Sequence, residues 1–444
     1  MLGDSMMINL FRLKAVGRAI ATVLVATALP ALAQKAPLPT NIQSIPALNA
    51  DLTQVTVSGL SSGAFMAHQL HVAFSDRIVG AGVIAGGPFG CSGGSSCQAV
   101  RACMNNAADP TLGSPMPSTE ELYTKAQSLA DQGRIAPLEN LKQSRVYIAH
   151  GINDAVVASA QAEGVAAFYA KAGLAPDQID IACTPDKPCY QSGHATVAPT
   201  GPRNCADNAP PYLNHCEAAN GEDQNEPDEL LKFFYADKLG GWKPPSTTLT
   251  GDLIRFSQDK ATTVSTATYL LASSGYLYVP KVCWTQKCPV HVAFHGCVQS
   301  EEVLQTNDKA ANKKLAPGES PQDNSFVRDA GYNPSADANG IIVLYPQAQP
   351  SGYRIDPQPI PLPGTAAGQD LLMDVFKATW CASSPGQTFI DGISFRNNPE
   401  GCWDWFGYTR QAGIGDDDIW LTQDAPQMKA VMQMVEKLGR APKP

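Results

Sequence analysis

A glycine-serine knot stands close to the start of the chain, where residues 55–70 read VTVSGLSSGAFMAHQL. Gly59, Ser61 and Gly63 fit G-x-S-x-G, in which a serine occupies a sharp turn between a strand and a helix, its hydroxyl presented at the end of a sheet. The two glycine positions, 59 and 63, must be small, because the serine backbone is strained and a Cβ there would meet strand or helix. The pattern is short enough to arise by chance, so its flanks decide. Before it lies the β-branched run of Val55, Thr56 and Val57. After it Met66, Leu70, Ala73 and Phe74 fall at i, i+4, i+7 and i+8, one apolar helix face with His68 and His71 away from it. Ser61 is therefore a candidate nucleophile, and the N–H of Ser62, next in the chain, a candidate donor to an oxyanion.

The preceding chain is short. Arg12, Lys14 and Arg18 lead into about a dozen apolar residues and then Ala31-Leu32-Ala33, a secretory signal over residues 1–33 with cleavage before Gln34. Pro30 and the shortness of the run argue against a membrane anchor, which needs about 20 apolar residues. Export to periplasm or medium suits the 12 cysteines, which read as disulfides. Cys183 and Cys189, Cys205 and Cys216, Cys283 and Cys288, and the trio Cys91, Cys97 and Cys103 each stand close enough to close short loops. Zinc is disfavoured, since no paired C-x-x-C units with supporting histidines occur. The net charge of −9 becomes more negative once the basic leader is removed, and no basic stripe exists. Nucleic acid and anionic membranes are thus poor partners.

Residues 34–50, rich in proline, read as a flexible lead-in, and residues 51–444 as a single catalytic domain. Apolar runs alternate with helical patterns: VTVSG, a helix from Ser62, IVGAGVIAGG, STEELYTKAQSLADQG, SRVYIAHG, then AVVASAQAEGVAAFYAKAG. That alternation predicts an α/β fold with a mostly parallel sheet and helices on both faces. A Pro/Gly/Thr segment around 239–265 divides two halves. The second half adds GYLYVP, VHVAFHG and GIIVLYPQ and ends in a helix with Met428, Val431, Met432 and Val435 on one face.

An elbow serine in an α/β-hydrolase is followed in sequence by an acid and then a histidine. Asp154 follows the strand pattern SRVYIAH; it either holds an imidazole or caps the next helix, a task Asn153 could also perform. Of seven histidines, His194 in QSGHATVAP follows the acid on a glycine-preceded loop, as a general base would, with His215 as the second choice. The oxyanion site also needs an N–H from a loop after an upstream strand, often H-G, yet only about 27 residues of mature chain precede Ser61. VHVAFHGCVQ, with His295-Gly296-Cys297, lies far downstream. Placing residues from about 265 to 444 ahead of residue 50 restores the ordinary order, so the chain reads as a circularly permuted α/β-hydrolase.

The blocks GLSSGAFMAHQL, GVIAGGPFGC, HGINDAVV, HGCVQ, YNPSADANGIIVLYPQ and NPEGCWDWFGYT together resemble the secreted poly(3-hydroxybutyrate) depolymerases with an N-terminal lipase box. The resemblance covers most of the mature chain. It implies Ser61 as nucleophile, Asp154 as acid and His194 as base, with the N–H groups of Ser62 and Cys297 as oxyanion hole. It also implies an aromatic-lined crevice for a polyester or oligoester, with Trp403 and Trp405 as candidate contributors, or else as core packing beside a Cys402 disulfide. No metal or organic cofactor is required. An insertion at about 348–397, which includes Cys381, departs from the family and bears on whether polymer or a small soluble or aromatic ester is cleaved. A non-catalytic binding protein on the same scaffold is the remaining class.

Overall fold

The computed structural model describes residues 38–104, 115–182, 190–301, 325–351, 353–355, 358–360, 398, 400–410 and 416–441. Its main sheet has nine strands: β1 (Ile42–Gln43), β2 (Asp51–Leu60), β3 (Ile78–Ile84), β4 (Arg145–Ala149), β5 (Ile179–Ile181), β6 (Asp252–Ser257), β7 (Ser274–Val279), β8 (Pro289–Phe294) and β9 (Ile342–Tyr345). Across the sheet they run β1-β6-β7-β9-β8-β2-β3-β4-β5. Only β7 is antiparallel to its neighbours. The knot strand β2 has β3, β4 and β5 on one side, all from the N-terminal half. On the other side β8, β9, β7 and β6 come from the C-terminal half. Spatially the elbow strand follows these four as in an ordinary α/β-hydrolase, with the short β1 added at the edge beyond β6; only the sequence order is permuted.

Helices cover both faces, as the near-continuous apolar strands require. Helices α1 (Ser62–Ala73), α2 (Thr119–Asp131), α3 (Ala160–Lys171) and, near the C-terminus, α6 (Pro426–Leu438) pack against Val55, Val57, Ile148, Val290 and Val292. Helices α4 (Glu226–Leu239) and α5 (Tyr332–Asn339) pack on the opposite face against Tyr147, Tyr276, Ala293 and Tyr345. Local signals set the ends. Ser118 and Glu121 form a capping box for α2, and α4 stops at Gly240 with φ 73°. The predicted face of α6, Met428, Val431, Met432 and Val435, is buried. Residues 240–251 then connect the two halves.

Two expectations need correction. Helix α1 is buried all round rather than on one stripe, and His68 and His71 are inside it. Helix α3 covers the side the periodicity leaves polar: His71 bonds the Tyr169 hydroxyl at 2.7 Å and the Ser144 hydroxyl at 2.9 Å, and His68 stacks on Tyr169 at 4.7 Å. Nor are residues 38–50 of the expected flexible lead-in loose. Ile42 and Gln43 pair in parallel with Arg255 and Phe256, and the N–H groups of Leu48 and Ala50 both donate to the Leu438 carbonyl at 3.0 Å. The segment takes up an open sheet edge and carbonyls that the end of α6 leaves without helical partners.

Disulfides join Cys91–Cys103, Cys205–Cys216 and Cys283–Cys288, each closing a short loop, and Cys297–Cys402, 105 positions apart. Cys183, Cys189, Cys381 and the side chain of Cys97 lie outside the described residues, as does the signal segment. Of the insertion at 348–397, the structure describes a two-stranded ladder, Tyr353–Ile355 with Gln358–Ile360, and 348–351 before it; the rest lies outside the described residues. Among the described residues no helix is long and apolar enough to cross a membrane.

Candidate active site

Ser61 joins β2 to α1 at φ 56° and ψ −121°, a region that a residue with a Cβ enters at a cost of about 1–3 kcal/mol. Its surroundings hold it there. Its N–H donates to the Ile84 carbonyl at 3.0 Å, and its own carbonyl accepts from Ala64 at 2.8 Å and Phe65 at 3.0 Å. A Cβ on Gly59 would stand 2.4 Å from the Gly63 carbonyl oxygen, and one on Gly63 would stand 2.4 Å from the Phe294 oxygen and 2.5 Å from the His295 oxygen. The motif glycines thus allow α1 to approach β8, and they do so through backbone that cannot move aside.

Asp154 and His194 come together on the loops after β4 and before Thr196–Val197. His194 Nδ1 lies 2.8 Å from Asp154 Oδ2, and both side chains are buried. The other carboxylate oxygen, Oδ1, accepts from the N–H groups of Val156 at 2.8 Å and Val157 at 2.9 Å. The next helix, α3, has Ser159 as its N-cap, so Asp154 caps no helix: one oxygen holds the imidazole and the other braces its own loop. Asn153 does not cap; its side chain donates to the Gln191 carbonyl. Burial alone would raise the Asp154 pKa, but the His194 ring, the Val157 N–H and His150, 3.7 Å away, hold it below the ordinary carboxylate value. An ionised Asp154 can only accept, so Nδ1 carries the proton and Nε2 keeps a lone pair for a substrate-side proton. His215 is engaged elsewhere, 2.7 Å from Asp223.

The H-G-C loop follows β8 and reaches the elbow, where a Cβ on Gly296 would lie 3.4 Å from Ser61 Cβ. Buried His295 braces it: Nδ1 donates to the Gly296 carbonyl at 2.7 Å and Nε2 accepts from the Ala348 N–H at 3.1 Å. Desolvation pushes its pKa down to about 4, so it stays neutral and structural. The Gly296 N–H donates to Gln299 Oε1 at 2.5 Å, and Gln299 Nε2 donates to the Pro211 carbonyl at 2.6 Å, beside the Tyr212 ring that meets His194 edge-on at 5.6 Å. Val298 sits at φ 63°, rare for a β-branched residue, and its N–H goes to the Glu400 carbonyl at 2.8 Å. Among the described residues no protein acceptor takes the N–H of Ser62 or Cys297. These are the two donors that the sequence nominates.

Trp403 and Trp405 are core residues, so of the two alternatives, crevice wall or core packing beside the Cys402 disulfide, burial favours the second. Trp403 has 0% exposure and packs edge-on against Phe294, and its backbone N–H donates to Ser62 Oγ at 3.4 Å; Trp405 stacks on Phe65 at 4.0 Å. The Cys297–Cys402 bond draws this segment under the H-G-C loop. Sequence reasoning missed Gln299 and Asn208. The Asn208 carboxamide accepts the His194 N–H at 2.7 Å and the Ala155 N–H at 3.0 Å, and donates to the Asn153 carbonyl at 3.0 Å. No local pattern marks either residue, because each acts across loops distant in sequence.

No family model matches the chain. It is 30% identical over 403 residues to a poly(3-hydroxybutyrate) depolymerase of Delftia acidovorans, covering 89% of this chain and 62% of that protein, so it spans less than two thirds of that relative. It is 29% identical over 396 residues to a polyhydroxybutyrate depolymerase of Talaromyces funiculosus, covering 88% of this chain and 92% of that one. Among solved structures, a serine-to-alanine variant of a PHB depolymerase complexed with an R3HB trimer matches with a TM-score of 0.63 and 26% identity, and a PHB depolymerase from Penicillium funiculosum with 0.63 and 27%. Each match covers 90% of this chain and 100% of the other.

Proposed function

We propose that the chain, similar over most of its length to poly(3-hydroxybutyrate) depolymerases, is an exported serine esterase cleaving polyesters of that type or their oligomers. The observation that carries the reading is the Asp154–His194 hydrogen bond, with the second carboxylate oxygen tied to two backbone N–H groups. That arrangement fixes an imidazole with Nε2 free, as base catalysis on a serine requires.

In this mechanism His194 Nε2 takes the Ser61 proton as Oγ attacks the ester carbonyl. The negative charge that forms on oxygen is met by the N–H groups of Ser62 and Cys297. Collapse expels the alcohol, protonated by His194, and leaves an acyl group on Ser61. Water, deprotonated by the same imidazole, then releases the acid. Asp154 keeps Nδ1 protonated and stabilises the imidazolium at each step. Ser61, partly exposed at the end of the sheet, suits an ester presented from solvent.

A fluorophosphonate probe tests the chemistry: it should label the wild type and not Ser61→Ala, and failure to label the wild type rejects a serine hydrolase. The substrate is tested by giving the protein a hydroxybutyrate polyester film and a soluble butyrate ester side by side, with Ser61→Ala as control. Release of soluble acid from the film supports the polymer reading; cleavage of the soluble ester alone rejects it.

A further inference from the structure

The acid and the base of the proposed site stand on separate loops, and a 2.8 Å bond between their side chains persists only if the two backbones are fixed relative to each other. Part of that fixing is direct. Ile152 and Asn153 donate their N–H groups to the carbonyls of Tyr190 and Ser192, both at 3.0 Å, and there is no room for a Cβ on Gly151, which would stand 2.2 Å from the Ser192 oxygen. These bonds end at Ser192, two residues short of His194, and before Asp154.

Across that gap reaches one side chain. We propose that Asn208 is the positioning residue of the Asp154–His194 pair, an inference that rests on the triad reading above. Its Oδ1 accepts the His194 N–H and the N–H of Ala155, the residue after Asp154, while its Nδ2 donates to the carbonyl of Asn153, the residue before it. A fourth bond, 3.3 Å to the Ala206 carbonyl, fills the hydrogen-bonding capacity of the carboxamide. Only asparagine fits. Aspartate offers acceptors but no donor for Asn153, and glutamine carries its amide one methylene further out.

Asn208 is itself placed by a braced loop. Asn214 Nδ2 donates to the carbonyls of Cys205 and Asp207, both at 2.8 Å, and the Cys205–Cys216 disulfide closes the loop behind it. The Gly193 N–H donates to the Cys205 carbonyl at 2.8 Å, and a Cβ on Gly193 would stand 2.3 Å from the Asp207 oxygen. The third loop is thus seated against the backbone immediately before His194, with the carboxamide of Asn208 turned toward both catalytic candidates.

The test is steady-state kinetics on a soluble butyrate ester, with fluorophosphonate labelling rates and melting temperatures, for wild type, Asn208→Ala, Asn208→Asp and Ser61→Ala. Misalignment of the imidazole should lower kcat of Asn208→Ala about tenfold or more, with KM within about twofold and the labelling rate falling in parallel. Asn208→Asp, which keeps both acceptor bonds, should recover part of the loss, and it carries the test if the alanine variant does not fold. A folded Asn208→Ala with wild-type kcat, or a loss confined to KM or to melting temperature, overturns the positioning role. Wild type no more active than Ser61→Ala would instead reject the triad reading.

Discussion

Ser61 keeps its positive φ where Gly59 and Gly63, two residues to either side, let β2, α1 and the end of β8 close together, and the cost of changing that is readable from contacts. In Gly63→Ala the new Cβ would meet two backbone oxygens of the β8 end, neither able to rotate away. We expect a loss of about 3 kcal/mol or more, seen as a lower melting temperature, together with loss of fluorophosphonate labelling. A Gly63→Ala protein that melts and labels like wild type would show that α1 can shift without consequence. The candidate triad was legible at this scale because it depends on chain order: a serine on an elbow, an acid after a later strand, a histidine after that. Asn208 was not, since its partners are 53 and 14 positions away and its residue type is ordinary for a loop. Trp403 stayed open between crevice and core, because an aromatic in a polar-looking motif carries no sign of whether its face meets solvent or Phe294.

Among elements, the H-G-C loop depends most on distant chain. Strand β8 delivers it, but the loop with the proposed donor, the Cys297 N–H, is tied down by the Cys297–Cys402 bond and by the Val298 to Glu400 hydrogen bond. Cys402→Ser should therefore leave the sheet intact and lower kcat on a soluble ester about tenfold through the oxyanion donor at Cys297. Unchanged kcat in the folded variant would place that donor elsewhere. The short loops of Cys205–Cys216 and Cys283–Cys288 could be anticipated from spacing; a bridge spanning 105 positions could not, since spacing says nothing about which segments the sheet brings together. The same limit explains α1. Its periodicity reports one buried side, and the burial of the other is contributed by Tyr169 on a separate helix.

For the whole molecule the buried histidines set an acid limit. Desolvation lowers His68 and His295 to about 4 and His71 and His291 to about 3, with the neighbouring His68 adding to the shift at His71. Unfolded, each titrates near 6.5, so below that pH the unfolded chain binds protons that the folded chain refuses. The stability these four contribute is whole above pH 6.5 and is lost as pH falls toward 4, at up to about 1.4 kcal/mol per pH unit for each. Glu400, raised by burial to about 7, and Asp404, also raised by burial, run the other way, two groups against four. Melting temperature should fall steadily between pH 6.5 and 5; a flat or rising profile would contradict this balance.

The permuted order also determines when the centre can exist. Strand β2 finds one neighbour, β3, almost at once, whereas its other neighbour is β8; Thr56 and His291, which bond across that seam at 2.7 Å, are 235 positions apart. A growing chain therefore lays down the nucleophile first and the wall behind it last, leaving one side of the central strand without a ladder in the meantime. The oxygens of Phe294 and His295 that seat Gly63, and the loop bearing Cys297, arrive only after Asp154 and His194 have been made. A half-length chain thus lacks both the backbone that seats Gly63 and the loop of the proposed Cys297 donor, and the elbow is walled in only when the second half closes the sheet.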